Sequence, residues 1–211
     1  MRPWSRPAAV ALAALAALTF MGAGATGTLT GDAWRASGEV RYVARDALTS
    51  WTGVAPVSEL RLSFDPRDPS SLRFEARVRP AAFDSGNRLR DGRARASVFE
   101  TDAYPEALLV AAAAAGPQVS ALEPGGSLTL TLDAELTLHG VTLPYRLEAR
   151  LSASQDAAGN ASYRAEADFE VSLTAHGMRR PALLTLVTDD LVQVSLVATA
   201  HPDPAPSSTT R

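Results

Sequence analysis

A strict alternation of apolar and polar residues constrains this chain more than any other feature of the sequence. Leucines and alanines occupy every second position over residues 128–138, with threonines, acidic residues and His139 between and after them. Successive side chains on a β-strand point to opposite faces, so this run predicts a long strand with one apolar face. The alternation breaks at His139-Gly140 and resumes over residues 145–151, which predicts a hairpin.

The same pattern recurs along the rest of the chain. Further strands are expected at residues 40–44, 60–64, 72–78, 108–114, 163–173 and 191–200. About eight successive strands, each with one apolar face, predict an all-β antiparallel fold that is either a closed barrel or a sandwich. A barrel is favoured because closure removes the edge strands that invite aggregation. Residues 89–97 lack the alternation and are expected to form a short surface helix.

The two ends of the chain differ in composition from its middle. Residues 1–25 combine two early arginines, an apolar run and small residues, which predicts a secretory signal peptide and a periplasmic or secreted protein. Residues 26–200 are expected to form one domain, and the Pro-, Ser- and Thr-rich residues 201–211 a disordered tail. Since the chain has no cysteine to carry a lipid, no permanent membrane anchor is expected.

Charge and motifs argue against several classes of function. The net charge of −3 supplies no basic excess for nucleic acid. The sequence has no Gly-x-Ser-x-Gly elbow, no His-Glu-x-x-His motif, no thiol and three histidines. We therefore predict neither an enzyme nor a metal site.

Three stretches together resemble the YceI family of exported bacterial proteins. They are the charged residues 84–92 with Val-Phe-Glu-Thr-Asp-Ala-Tyr-Pro at 98–105, Leu-Thr-Leu-His-Gly-Val-Thr-Leu-Pro at 136–144, and Phe-Glu-Val-Ser-Leu at 169–173 with His-Gly-Met-Arg-Arg-Pro at 176–181. The resemblance implies an extended, eight-stranded, lipocalin-like antiparallel barrel with a helix against one side. It also implies that an internal tunnel holds a polyisoprenoid chain.

The candidate site follows from the inward face of the strands. Alanines at 44, 76, 134, 149, 165 and 167 fit either a solid core or a hollow one, and the resemblance favours a cavity. His139, His176 and Arg179 are candidates for a head-group contact at the barrel mouth, although a local turn role for His139 and a solvated loop charge for Arg179 are the favoured interpretations. The expected apolar lining consists of Phe74, Leu128, Leu130, Leu132, Leu136, Leu147, Phe169 and Val171.

Three functions compete on this basis. The favoured one is a carrier or store for a polyprenol or quinone lipid, which is a bound ligand and not a cofactor. The first alternative is an enzyme for an apolar substrate with His139 or His176 as base. The second is an envelope interaction module with a solid core and a binding surface on residues 87–100. A transient membrane contact and a homodimer stay open.

Overall fold

A computed structural model describes residues 34–116, 120–183 and 186–202. The expected signal peptide lies outside the described residues, as do residues 203–211 of the expected tail. The elements in chain order are β1 (Trp34–Arg45), β2 (Ser50–Asp65), β3 (Asp68–Val78), a 3-10 turn (Pro80–Ala82), α1 (Arg88–Ser97), β4 (Ala107–Ala113), β5 (Ser127–Leu138), β6 (Val141–Gln155), β7 (Ala161–Ser172), β8 (Ala182–Leu183), β9 (Leu186–Val187) and β10 (Leu191–Pro202). The last strand includes His201 and Pro202, which the sequence pattern had assigned to the tail.

Eight of these strands close into a barrel in the order β1-β10-β7-β6-β5-β4-β3-β2. Every neighbouring pair is antiparallel, and β1 closes the cylinder by pairing with both β2 and β10. The expected barrel and helix are therefore confirmed, and the sandwich alternative is wrong. Strands β8 and β9 form a separate two-stranded ribbon between β7 and β10. Among the described helices, none is long and apolar enough to cross a bilayer.

The tight turn between β5 and β6 shows how the sequence sets the strand register. Leu138 pairs with Val141, so His139 and Gly140 alone connect the strands. Their φ angles are 52° and 75°, and two positive values are typical of the type I′ turn that matches the twist of a hairpin. A Cβ atom at Gly140 would lie 2.8 Å from the ring of Tyr104, so glycine is required there for space as well.

One half of the barrel interior is filled by side chains, and we call it the packed half. Leu132 and Leu147 are fully buried at its centre. Leu122, from the connection between β4 and β5, folds over the barrel end, and its N–H donates to the carbonyl of Pro66 at 2.8 Å. Trp34, Phe64 and Tyr163 pack together at the same end, with ring centroids 5.2 to 6.0 Å apart. The space left there is about 60 Å³.

Candidate functional site

The opposite half of the barrel is hollow. It contains a cavity of about 920 Å³, which lies near the top of the size range typical of small-molecule sites. Every barrel strand except β6 contributes lining residues, and so does α1. Leu196 lines both this cavity and the small space in the packed half, so it lies at the boundary between them.

The inner walls of the cavity are apolar, and small residues create its volume. Ala44, Ala76 and Ala107 come from three different strands, where leucine-sized side chains would fill the space. Ala44 and Ala76 are themselves 5% and 3% exposed, so they belong to a continuous wall. The larger apolar wall residues include Val78, Leu109, Leu136, Phe169, Val171 and Val194.

The open end of the cavity is basic, and we call its four arginines the arginine rim: Arg90 and Arg93 on α1, and Arg179 and Arg180 after β7. Among the described residues, the rim arginines face a single acidic residue of the cavity lining, Asp46. Among the charged residues that line the cavity, four positive charges against one negative charge leave a net charge of +3.

The groups at the mouth differ in how they are engaged. The guanidinium carbon of Arg90 lies 5.4 Å from the Trp51 ring centroid, a cation–π contact. Arg180 donates from Nε to the carbonyl of Thr188 at 2.7 Å, whereas Arg93 and Arg179 have no hydrogen-bond or ion-pair partner among the described residues.

Asp46 is bonded within its own turn. Its carboxylate accepts from the N–H groups of Leu48 at 2.9 Å and Thr49 at 2.8 Å. These bonds, that of Leu48 first, hold the pKa of Asp46 below its usual value. The Asp46 carboxylate therefore stays ionised and is directed at backbone N–H groups.

Two sets of local hydrogen bonds fix helix α1 at the mouth of the barrel. Asn87 caps its first turn, and the side-chain oxygen accepts from the N–H groups of Leu89 and Arg90, both at 3.1 Å. Asp91 is 6% exposed, and its carboxylate accepts from both the N–H and the hydroxyl of Ser85. A buried carboxylate needs such partners. The contact holds the helix to the segment before it, where Asp84 pairs with Val54 of β2 through two backbone hydrogen bonds of 2.9 Å.

The structure divides the predicted lining residues between the two halves of the barrel. Leu136, Phe169 and Val171 line the large cavity, as does Arg179 at the rim. Phe74 and Leu132 line the small space in the packed half. The remaining three, Leu128, Leu130 and Leu147, belong to or pack against the core of the packed half.

The two candidate histidines lie at the mouth end of the barrel but do not line the cavity. His176 is completely buried; its Nδ1 contacts the Val141 carbonyl at 3.1 Å and its Nε2 the Tyr145 hydroxyl at 3.0 Å. Because a carbonyl only accepts, Nδ1 carries the proton and Nε2 accepts from the tyrosine. Burial is the main cause that lowers the pKa of His176, so the ring is held neutral.

His139 is occupied by neighbouring loop residues. Its Nε2 lies 2.8 Å from a carboxylate oxygen of Glu100, and its ring packs 4.0 Å from that of Tyr104. Both contacts tie the β5–β6 turn to the segment that follows α1. Among the described residues, no cluster of three or more histidine, aspartate or glutamate side chains could hold a metal ion.

The contribution of α1 was missed by sequence reasoning. Leu89, Arg90 and Arg93 line the cavity, although the helix was expected only on the surface. The composition of α1 could have indicated this role. Four of the ten helix residues are arginines, and Asp91 is the one acidic residue in the helix that could pair with them. A helix that only covers a core has an extended apolar face, which α1 lacks.

A closed eight-stranded antiparallel barrel with one hollow, apolar half defines a lipocalin-like binding fold. The chain belongs to the YceI-like domain family, which it matches over residues 21–200. No curated protein matches the chain in sequence.

Solved structures share this fold at low sequence identity. A polyisoprenoid binding domain from Saccharophagus degradans, implicated in plant cell wall breakdown, has a TM-score of 0.61 at 16% identity, covering 79% of this chain and 98% of that one. BcnA of Burkholderia cenocepacia has a TM-score of 0.59 at 17% identity, covering 77% and 95%. A Campylobacter jejuni YCEI protein has a TM-score of 0.55 at 13% identity, covering 70% and 84%. At these identities the likeness shows the fold alone.

Proposed function

We propose that this protein binds a long isoprenoid lipid of the polyprenol or quinone type in the hollow half of its barrel, and carries or stores it. The observation that carries the proposal is the cavity of about 920 Å³, whose inner walls are apolar. Beyond Leu196 the barrel is filled by the packed half, so in the described part of the chain the mouth is the route by which a ligand enters and leaves. The fold shared with a polyisoprenoid binding domain supports the same ligand class.

The energetics suit a hydrocarbon chain without strong polar contacts. Burial contributes about 0.8 kcal/mol per CH₂, so a few isoprene units give on the order of 10 kcal/mol before costs. Ordering a flexible chain offsets part of that. The remaining free energy still supports useful affinity, and the polar end of the lipid then lies at the arginine rim.

The family and its structural neighbours point to binding rather than catalysis. Among the described residues the two histidines nominated as bases are engaged outside the cavity, by Glu100 and by Tyr145. The interaction-module alternative assumed a solid core, which the hollow half contradicts. We place the protein in the periplasm or outside the cell, on the strength of the basic and apolar segment at residues 1–25.

Organic extraction tests the proposal directly. The full chain is purified from its natural compartment without detergent, extracted, and analysed by mass spectrometry. We expect an isoprenoid in near-stoichiometric amount, and less of it in a variant whose cavity is narrowed by Ala76→Trp. Repeated recovery of protein free of any apolar compound, together with no uptake of added geranylgeraniol or quinone, would refute the proposal.

A further inference from the structure

Large apolar side chains stand exposed around the mouth of the barrel. Leu48 is 76% exposed, Leu89 67%, Leu191 52% and Val187 42%. They are carried by the β1–β2 turn, α1, the start of β10 and β9, segments that contribute residues to the open end of the cavity. Among the described side chains, the one other exposed large apolar residue is Val110, in the middle of β4 on the outer wall. Apolar exposure is therefore concentrated at one end of the molecule.

The same end carries a concentration of positive charge. The arginine rim and Asp46 together give a net charge of +3, whereas the whole chain has a net charge of −3. The mouth is thus opposite in sign to the rest of the protein. Exposed leucines between arginines suit the boundary between the acyl chains and the anionic head groups of a bilayer.

We propose that the mouth docks on the surface of an anionic phospholipid bilayer. Leu48, Leu89 and Leu191 enter the head-group region, and the arginine rim contacts lipid phosphates. This inference rests on the proposed function, because docking brings the cavity opening against the phase in which an isoprenoid dissolves. The lipid then moves between bilayer and barrel without exposing its chain to water.

The charge of the mouth decides between a membrane and a second copy of this chain. Two mouths brought face to face would each carry a net charge of +3, and like charges in contact repel. An anionic bilayer presents the opposite charge at high density. Exposed leucines alone fit both occupants, but the rim fits the bilayer.

Vesicle flotation with matched variants tests the docking surface. The probes are phosphatidylcholine vesicles with and without phosphatidylglycerol. We expect the wild-type chain to float with the anionic vesicles. The pair Leu48→Ser and Leu191→Ser, neither of which lines the cavity, lowers the partition coefficient about ten-fold or more. Val110→Ser, which removes an exposed apolar side chain from the outer wall, changes partitioning less than about two-fold.

Arginine substitutions test the electrostatic contribution to vesicle binding. Replacing Arg93 and Arg179 with glutamine lowers partitioning about five-fold for each residue, and added salt removes that difference. Arg150→Gln, an exposed arginine on β6 away from the cavity, is the control.

A titration with geranylgeraniol separates docking from ligand binding. The leucine pair and the two controls, which lie outside the cavity lining, should take up geranylgeraniol as the wild type does. Vesicle binding that is unchanged in both variant pairs, while geranylgeraniol still binds, overturns docking and leaves the proposed function intact. Failure of the wild type to bind geranylgeraniol overturns the proposed function itself. Sedimentation that shows a dimer dissolved by the leucine pair, with no vesicle binding, assigns the surface to a second copy and also overturns docking.

Discussion

Narrowing the cavity with Ala76→Trp should weaken ligand binding without unfolding the barrel. Ala76 is 3% exposed and lines the cavity from β3, so a larger side chain there extends into empty space. An indole ring displaces at least one isoprene unit, which contributes about 4 kcal/mol gross at about 0.8 kcal/mol per CH₂. Chain ordering reduces this to a net loss of about 2 to 3 kcal/mol. The expected dissociation constant for geranylgeraniol rises about 30- to 150-fold.

The assay is equilibrium dialysis with labelled geranylgeraniol, beside circular dichroism and thermal unfolding of the ligand-free protein. Ala157→Trp places the same ring in the exposed turn between β6 and β7 and should bind as the wild type does. The thermal midpoint of ligand-free Ala76→Trp should not fall, because the indole gains apolar contacts in the hollow half. A folded Ala76→Trp protein with wild-type affinity would refute the assignment of this cavity as the ligand site.

Three further predictions concern the scaffold. Leu132→Ala, at the centre of the packed half, should lower the free energy of unfolding by about 2.7 to 5 kcal/mol in denaturant titrations, and a loss below about 1 kcal/mol would contradict dense packing there. Burial keeps the pKa of His176 in the folded protein below its value in the unfolded chain, so the unfolded chain gains a proton first as pH falls below about 6.5. The thermal midpoint should therefore decrease with falling pH until the folded-state pKa is passed. His176→Gln should make the midpoint depend less on pH over that range. Gly53→Ala should destabilise the protein and weaken ligand binding, because its Cβ would lie 2.3 Å from the ring of the cavity residue Tyr42. Gly92→Ala in α1 meets nothing within 4 Å and should stabilise the protein by about 0.5 to 1 kcal/mol. Equal effects of the two substitutions on the free energy of unfolding would contradict this geometry.

The strands and their inward faces were predictable because side-chain alternation is a local property. Residues 128–138 face alternately inward and outward in the structure as the sequence indicates. The turn at His139-Gly140 was equally local, since its backbone conformation is one that glycine favours. Barrel closure needed a further argument, the cost of free edges, because alternation is identical in a sandwich and in a barrel.

The position of the cavity along the barrel was not predictable from the same pattern. Ala76 and Ala134 have equivalent alternation, yet Ala76 lines the cavity and Ala134 belongs to the packed core. What separates them is the content of the opposite wall and of the connections, above all Leu122, which fills the closed end from outside the strands. Such contacts join residues far apart in sequence, so the local alternation of apolar and polar residues does not predict them.

A hollow barrel half must keep its shape without side chains that meet across its centre. The closed cylinder of backbone hydrogen bonds supplies part of that rigidity, because no strand can separate without breaking a ladder on each side. The packed half supplies another part, since the same strands run through both halves and are fixed by dense packing at one end. At the open end, Asp91 holds α1 to Ser85, and His176 holds the loop after β7 to β6 through Tyr145 and Val141. His176, which sequence reasoning nominated for chemistry at the mouth, therefore helps to preserve an empty space, which is the physical requirement for binding a flexible apolar chain.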